Sequence, residues 1–296
     1  LRPAAPNTIP NILPEEREMK SPQAGQGRRD RHAFYEVAVQ GPDWDLDFLD
    51  RVFRARNGRD PVTFREDFCS TAALATAWAQ RGPEHRAWAV DLDPEPLAWA
   101  RRHRLPYVRE VAKRVTLVRS DVRVPQKPRV DVACALNFSW WVFHDRADLV
   151  AYLKAARAGL KDGGVLVLNA FGGVRAERPL TERTRKRASS APDGTWVPAF
   201  TYIWQQAKFN AVDRRLLAWI HFEQKDAPRM ARAFVYDWRM WTLPELRDAV
   251  REAGFRDFEV WSEGWDAKRR THTGVLHRRR QLDNDDCWVA YCAAYR

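Results

Sequence analysis

Four short segments of the chain carry acids, amides and hydroxyls at spacings that suit ligand chemistry. The first is Glu66-Asp67-Phe68-Cys69-Ser70-Thr71-Ala72, and the second is Val90-Asp91-Leu92-Asp93-Pro94, with Asp91 lying 21 residues beyond Ser70. An ionised carboxylate can accept two O–H donors at once, so Asp91 suits the paired hydroxyls of a ribose. The third, Ser120-Asp121-Val122, offers a carboxylate for the exocyclic amine of an adenine. The fourth, Asn137-Phe138-Ser139-Trp140, brings an amide and a hydroxyl that can position a nucleophilic amine or hydroxyl. Arg65 carries a guanidinium fork that matches a ligand carboxylate, or equally an ion pair with a neighbouring acid. His144, His221, Tyr202 and Asp237 are candidate proton acceptors, and each also fits a structural role. The catalytic candidates kept are Asn137, His144 and Tyr202.

These segments need elements to hold them. Asp30 to Phe53 reads as two helical stretches broken at Gly41-Pro42. Val62–Asp67, Ala87–Val90, Val115–Arg119, Val130–Leu136 and Val165–Ala170 read as strands. Helices are expected over Thr71–Gln80, Pro94–His103 and Ala147–Leu160, with Asp93 as N-cap and Pro94 in the first turn of the second. Such alternation argues for a parallel sheet covered by helices, with the ligand-binding segments at the strand ends. Residues 171–199 read as a basic loop. Tyr202–Phe209, Leu216–Phe222 and Arg232–Met240 then read as an antiparallel meander. Thr242-Leu243-Pro244-Glu245 is a capping box opening a helix that ends at Gly254. Phe258–Trp261 and Cys287–Ala293 are expected to be the last strands, separated by a second basic loop.

The series resembles class I S-adenosylmethionine-dependent methyltransferases. More narrowly, Phe64-Arg65-Glu66-Asp67-Phe68-Cys69, Asp91-Leu92-Asp93-Pro94-Glu95-Pro96-Leu97 and Ala135-Leu136-Asn137-Phe138-Ser139 resemble a largely uncharacterised family whose first loop reads Glu-Asp-Phe-Cys-Gly-Thr. The likeness extends from about Tyr35 to Tyr295 and includes Tyr236-Asp237-Trp238-Arg239 and Trp241-Thr242-Leu243-Pro244-Glu245. It implies an α/β, doubly wound, mostly parallel seven-stranded Rossmann-like sheet with an antiparallel final strand and an antiparallel β-meander insertion. It also implies S-adenosylmethionine as cofactor, met by Arg65, Glu66, Cys69, Ser70 and Thr71 after the first strand. Asp91 and Leu92 follow after the second, Asp121 and Val122 after the third, and Asn137 after the fourth. The superfamily's first loop is rich in glycine, whereas the equivalent positions here are Phe68, Ser70 and Ala72. Ser70 would be strained by roughly 1–2 kcal/mol if its backbone takes positive φ, enough to weaken cofactor binding about tenfold.

The 296 residues are 45% hydrophobic, enough for one large α/β domain. No apolar run suits a membrane span, and no set of cysteines suits a metal. The net charge of +11 is concentrated. Residues 175–187 carry six basic and two acidic side chains, and residues 267–280 carry six basic and no acidic ones. These segments are either solvated loops or a surface for an anionic partner such as RNA or a multi-subunit assembly. Residues 1–29, rich in proline and without apolar periodicity, are expected to be a disordered or partner-bound tail. Residues 30–296 are expected to form the methyltransferase-like domain, with 200–241 as an inserted meander or lid. Two functions follow. One is methyl transfer to a small-molecule acceptor, with an anionic acceptor included. The other is a catalytically weak or inactive subunit with a structural or RNA-contacting role in a larger assembly. An intracellular setting is expected, either cytoplasm or the matrix of a mitochondrion or plastid.

Overall fold

The computed structural model describes residues 30–191, 194–266 and 271–296. The expected tail at 1–29 and part of the second basic segment, 267–270, lie outside them. Two helices come first, α1 (Arg31–Val39) and α2 (Pro42–Asn57), separated at Gly41 as the Gly-Pro pair requires. Asp30 caps α1 by accepting the His32 amide at 2.9 Å. Gly58 ends α2 in the left-handed conformation, φ 64°.

The alternating stretch follows: β1 (Thr63–Asp67), α3 (Ala73–Gln80), β2 (Arg86–Asp91), α4 (Pro94–Trp99), α5 (Arg109–Ala112), β3 (Val115–Arg119), β4 (Val130–Ala135), α6 (Arg146–Ala158) and β5 (Leu160–Gly172). The registers of β1 with β2 and β4 are parallel and place Asp67 beside Val90 and Glu66 beside Cys134. The carboxyl ends of three neighbouring strands therefore finish level, and everything that follows them meets at one edge.

Both faces of this sheet are covered, which is why its strands read as continuous apolar runs. Val165 and Val167 of β5 face the side packed by Leu49, Phe53 and Trp78 of α2 and α3. Leu166 and Leu168 face the opposite side, packed by Leu149 and Leu153 of α6. The period-2 alternation of a strand assigns them.

After β5 come β6 (Leu180–Lys186), the short pair β7 (Ser189–Ser190) and β8 (Trp196–Val197), then β9 (Phe200–Asn210), β10 (Arg215–Gln224) and β11 (Met230–Arg239). The expected three-strand meander is present as β9–β10–β11, and β6 adds a fourth strand on its outer side. The chain closes with α7 (Leu243–Glu252), β12 (Asp257–Asp266), β13 (Thr271–Arg279) and β14 (Trp288–Tyr295). The capping box opens α7 as expected, Thr242 and Glu245 bonding reciprocally.

The large sheet has eight strands, in the order β13-β12-β14-β5-β4-β1-β2-β3, not seven. The extra strand is β13, and it comes from the second basic segment, which was expected to be a loop. The first basic segment likewise contains β6. Both are terminal strands of their sheets. A terminal strand needs little apolar signal because only one side of its backbone ladder is paired and both its faces can meet water. In β6, Leu180-Thr-Glu-Arg-Thr-Arg-Lys, every residue is at least part-exposed. β14 is antiparallel to both β5 and β12, as expected of the final strand.

The second sheet lies over the strand ends. Its β11 meets the turn after β4: Trp238 contacts Phe138, and Arg239 donates to the His144 carbonyl at 2.8 Å. On its other flank it holds α1, whose Phe34 packs on Phe200 and Phe222 with ring centroids 4.7 and 5.4 Å apart. Burying one such ring stabilises by roughly 1.5–3 kcal/mol, so α1 is fixed to the second sheet rather than loosely appended.

Candidate active site

The loop between β1 and α3 is built from left-handed turns on residues that have side chains. Phe68, Ser70 and Ala72 take φ of 58°, 49° and 57°. The need for positive φ at the superfamily's glycine positions is therefore real here, and Ser70 carries the strain. The loop is held in that shape by its own bonds: Cys69 N–H to the Val90 carbonyl at 3.0 Å, and Ser70 N–H to Asp91 Oδ2 at 2.7 Å. The cost is thus borne by the fold. Replacing Ser70 by glycine should raise the unfolding free energy by roughly 0.5–1 kcal/mol, the relieved strain less the extra chain entropy of glycine. Urea denaturation reads this, and a fall in the midpoint would contradict it.

Asp91 sits at the meeting of β1 and β2. Its Oδ2 accepts from Ser70 and its Oδ1 from the Asp93 amide at 2.9 Å. Each oxygen keeps a lone-pair site, so the carboxylate can still accept two hydroxyls. Burial pushes its pKa above the usual range. A cavity of about 360 Å³ opens beside it, lined by Arg31 and His32 of α1, Ser70, Asp93, Pro96 and residues 232–235 of β11. The acceptor set therefore fits the ribose of S-adenosylmethionine: a carboxylate with open lone-pair positions under a roof made by the second sheet.

Below the loop is a polar cluster. Glu66 Oε2 accepts the Ala75 amide at 2.8 Å, and burial pushes its carboxyl up to about 8. Thr71 Oγ1 donates to Glu36 of α1, Arg104 pairs with the same carboxylate, and Arg104 Nε donates to the Thr71 carbonyl at 2.9 Å. Glu66 and Thr71 thus shape the loop from beneath, while Cys69 and Val122 are buried apolar supports. Leu92, by contrast, is 63% exposed at the rim.

Several expected roles change. Arg65 is 1% exposed, and its Nε and Nη2 donate to Asp67 Oδ1 and Oδ2 at 2.8 and 3.1 Å. Its Nη1 lies 2.1 Å from where a Cβ on Gly159 would stand, at the amino end of β5. The guanidinium therefore points to the edge of the sheet opposite Asp91 and cannot meet a ligand carboxylate there. Asp121 is held by Arg123, whose Nη2 and backbone amide donate to it at 2.7 and 2.8 Å. An adenine amine would have to share that carboxylate. Ser139 Oγ donates to the Leu136 carbonyl at 2.7 Å, so its hydroxyl closes its own turn. Asn137 follows β4 with φ 53°, at the level strand edge.

His144 Nε2 donates to the Asp237 carbonyl at 2.8 Å, and Asp237 pairs with Arg215, making both struts between the turn after β4 and β11. His221 accepts the Arg232 amide at 2.9 Å and bonds Gln205 at 3.0 Å, so both its nitrogens are used within the second sheet. Tyr202 lies beside Tyr35 and Glu182, and burial raises its phenol well above the ordinary value. Such a phenol is an acid too weak to work as a base near neutrality.

The residues missed are Asp45, Tyr291 and Asn169. Tyr291 Oη donates to Asp45 Oδ1 at 2.8 Å across 246 positions of sequence. It also bonds Asn169, its cross-strand partner in β5. Asn169 Oδ1 in turn accepts the Phe138 amide at 2.9 Å. In the sequence Asp45 reads as an acid in a helix's first turn, which is a common stabilising position. Nothing local links it to β14.

Known proteins resemble the chain in sequence over one segment and in fold over most of its length. Residues 67–168 match the family described as Methyltransferase domain. Among curated proteins no sequence matches the chain. Its structure is similar to a SAM-bound amino pentose methyltransferase from Micromonospora echinaspora, with 20% identity, TM-score 0.60, and coverage of 88% of this chain and 95% of the other. An S-adenosylmethionine-dependent methyltransferase from Clostridium acetobutylicum gives 15%, 0.62, 88% and 96%. A sugar N-methyltransferase from a Streptoalloteichus species gives 14%, 0.59, 94% and 98%. The chain has the fold of class I S-adenosylmethionine-dependent methyltransferases, and the family match lies over its β1–β5 core.

Proposed function

We propose that the protein transfers a methyl group from S-adenosylmethionine to an amine nitrogen of a small-molecule acceptor. The observation that carries this reading is the Asp91 carboxylate, fixed by the amides of Ser70 and Asp93 over a cavity roofed by β11. When bound, the cofactor supplies a methyl group on a positively charged sulfur. The chain's own part is to hold the adenosyl end through Asp91 and the loop at Ser70, to exclude water with α1 and β11, and to place the acceptor near Asn137.

An amine suits the acids at the strand ends better than an anion does. Asp45 and Asp91 put carboxyl groups near the strand ends, and their charge is felt at the buried Glu66, whose own carboxyl burial pushes up to about 8 and so keeps largely neutral near pH 7. Phe234 gives the cavity an aromatic face, with Tyr35 packed on it at a centroid distance of 4.9 Å. Cations favour such faces. Two of the structural neighbours are described as acting on an amino pentose and as a sugar N-methyltransferase, which supports the same class.

Calorimetric titration of the purified chain with S-adenosylmethionine tests the reading. Saturable binding with a dissociation constant of about 0.1 mM or tighter is expected. Absence of binding at millimolar cofactor would remove it.

A further inference from the structure

We propose that Asp45, oriented by Tyr291, takes the proton released from the acceptor nitrogen during methyl transfer. This rests on the amine-methylation reading above. The arrangement has three parts.

The first is position. Asp45 lies in the first turn of α2, above the ends of three strands. Its charge reaches Glu66 at the end of β1 and Cys134 near the end of β4. Tyr291, to which it is bonded, belongs to β14 next to β5. The turn that carries Asn137 is tied into the same group through Phe138 N–H and Asn169. The carboxyl therefore stands on the acceptor side of the strand edge. Asp91 lies beyond β1 from it, between β1 and β2.

The second is orientation. Asn169 bonds Tyr291, and Tyr291 donates to Asp45 Oδ1. One oxygen is held, and Oδ2 accepts no hydrogen bond from any described residue. Asp45 as a whole is only half-buried, although it is surrounded closely enough to be desolvated. A carboxyl with one oxygen anchored and the other open is arranged to exchange a proton with something that enters beside it.

The third is acidity. Burial pushes the Asp45 carboxyl up to about 7, against the opposing bond from Tyr291. The titratable groups facing it are Tyr291 from β14, Glu66 from β1 and Cys134 from β4. No described arginine or lysine is among them. A base poised near the working pH is the efficient one. The other candidates named from sequence, His144, Tyr202, His221 and Asp237, are struts or very weak acids.

The step balances as follows. The acceptor nitrogen's lone pair forms the new N–C bond to the methyl carbon. The S–C bond breaks with its electron pair left on sulfur. The nitrogen, now positively charged, gives its N–H proton to Asp45 Oδ2 and leaves as the neutral methylated amine.

The test uses two ligands with the intact chain. S-adenosylhomocysteine lacks the methyl group. Sinefungin, an analogue, carries an ammonium group where the methyl would be. If an anionic Asp45 faces that position, sinefungin should bind the wild type about tenfold more tightly than S-adenosylhomocysteine. Asp45→Asn keeps the size and the bond from Tyr291 but not the charge, and should erase the preference. Tyr291→Phe releases the anchor and should reduce it, which gives a second variant if the first does not fold. A wild type without preference, or a preference surviving both substitutions, overturns the role of Asp45 while leaving the cofactor site standing. Failure of both ligands to bind the wild type overturns the cofactor site itself.

Discussion

Replacing Arg65 with methionine should destabilise the fold by about 3–5 kcal/mol, the cost of leaving one member of a buried ion pair alone. Asp67 beside it is 2% exposed and would keep only the Tyr152 hydroxyl, at 3.1 Å. That single donor does not compensate a carboxylate removed from water. The double variant Arg65→Met with Asp67→Leu should recover most of the loss, because apolar replacements of similar volume often match a buried pair. Thermal and urea denaturation of the three proteins measure it. A single variant within 1 kcal/mol of wild type would mean that the pair is solvated after all. The same experiment bears on function: a ligand-binding arginine would change affinity and spare stability, whereas here the effect is on stability.

Replacing Asp91 with alanine should weaken S-adenosylmethionine binding by about a hundredfold or more. It removes two hydrogen bonds to a charged acceptor, each worth roughly 1.5–3 kcal/mol. It also frees the Ser70 and Asp93 amides, so some of the loss comes from a looser loop. Asp91→Asn separates the two contributions. An amide oxygen can still accept from one backbone N–H, but it cannot serve both hydroxyls as a carboxylate does. Its affinity should fall between those of wild type and alanine. Calorimetry with all three proteins decides, and a loss below about threefold for alanine would place the ribose elsewhere.

What could be read from sequence was what local chemistry dictates. Asp93 before Pro94, the Thr242–Glu245 box and the alternating strand–helix text each specify their own element, and each is present. The strained loop was also legible, because positions that need φ above zero are fixed by the turn and not by the residue that happens to occupy them. Two kinds of feature were hidden. Terminal strands such as β6 and β13 lack apolar alternation, since one side of their ladder and much of their surface meet solvent. Long-range partners were hidden too. Arg65 was placed correctly on β1, but only the fold shows that it runs toward Gly159 and not toward Asp91. Asp45 and Tyr291 are ordinary residues until β14 inserts between β5 and β12 and brings them together.

The positive charge that first suggested an anionic partner has another consequence. The terminal strands are β13 and β3 in one sheet and β6 and β11 in the other. Each carries arginine: Arg278 and Arg279, Arg119, Arg183 and Arg185, and Arg232. A terminal strand offers unpaired backbone groups to any passing chain, and adding a strand would bring a second copy to about 4.8 Å. Two such edges of like charge repel at that distance, because the screening length is about 10 Å at 0.1 M salt. At about 1 M salt it shrinks to about 3 Å, and the protection is largely gone. Edge-to-edge self-association of this protein should therefore depend on ionic strength, with dilute buffers favouring the single chain.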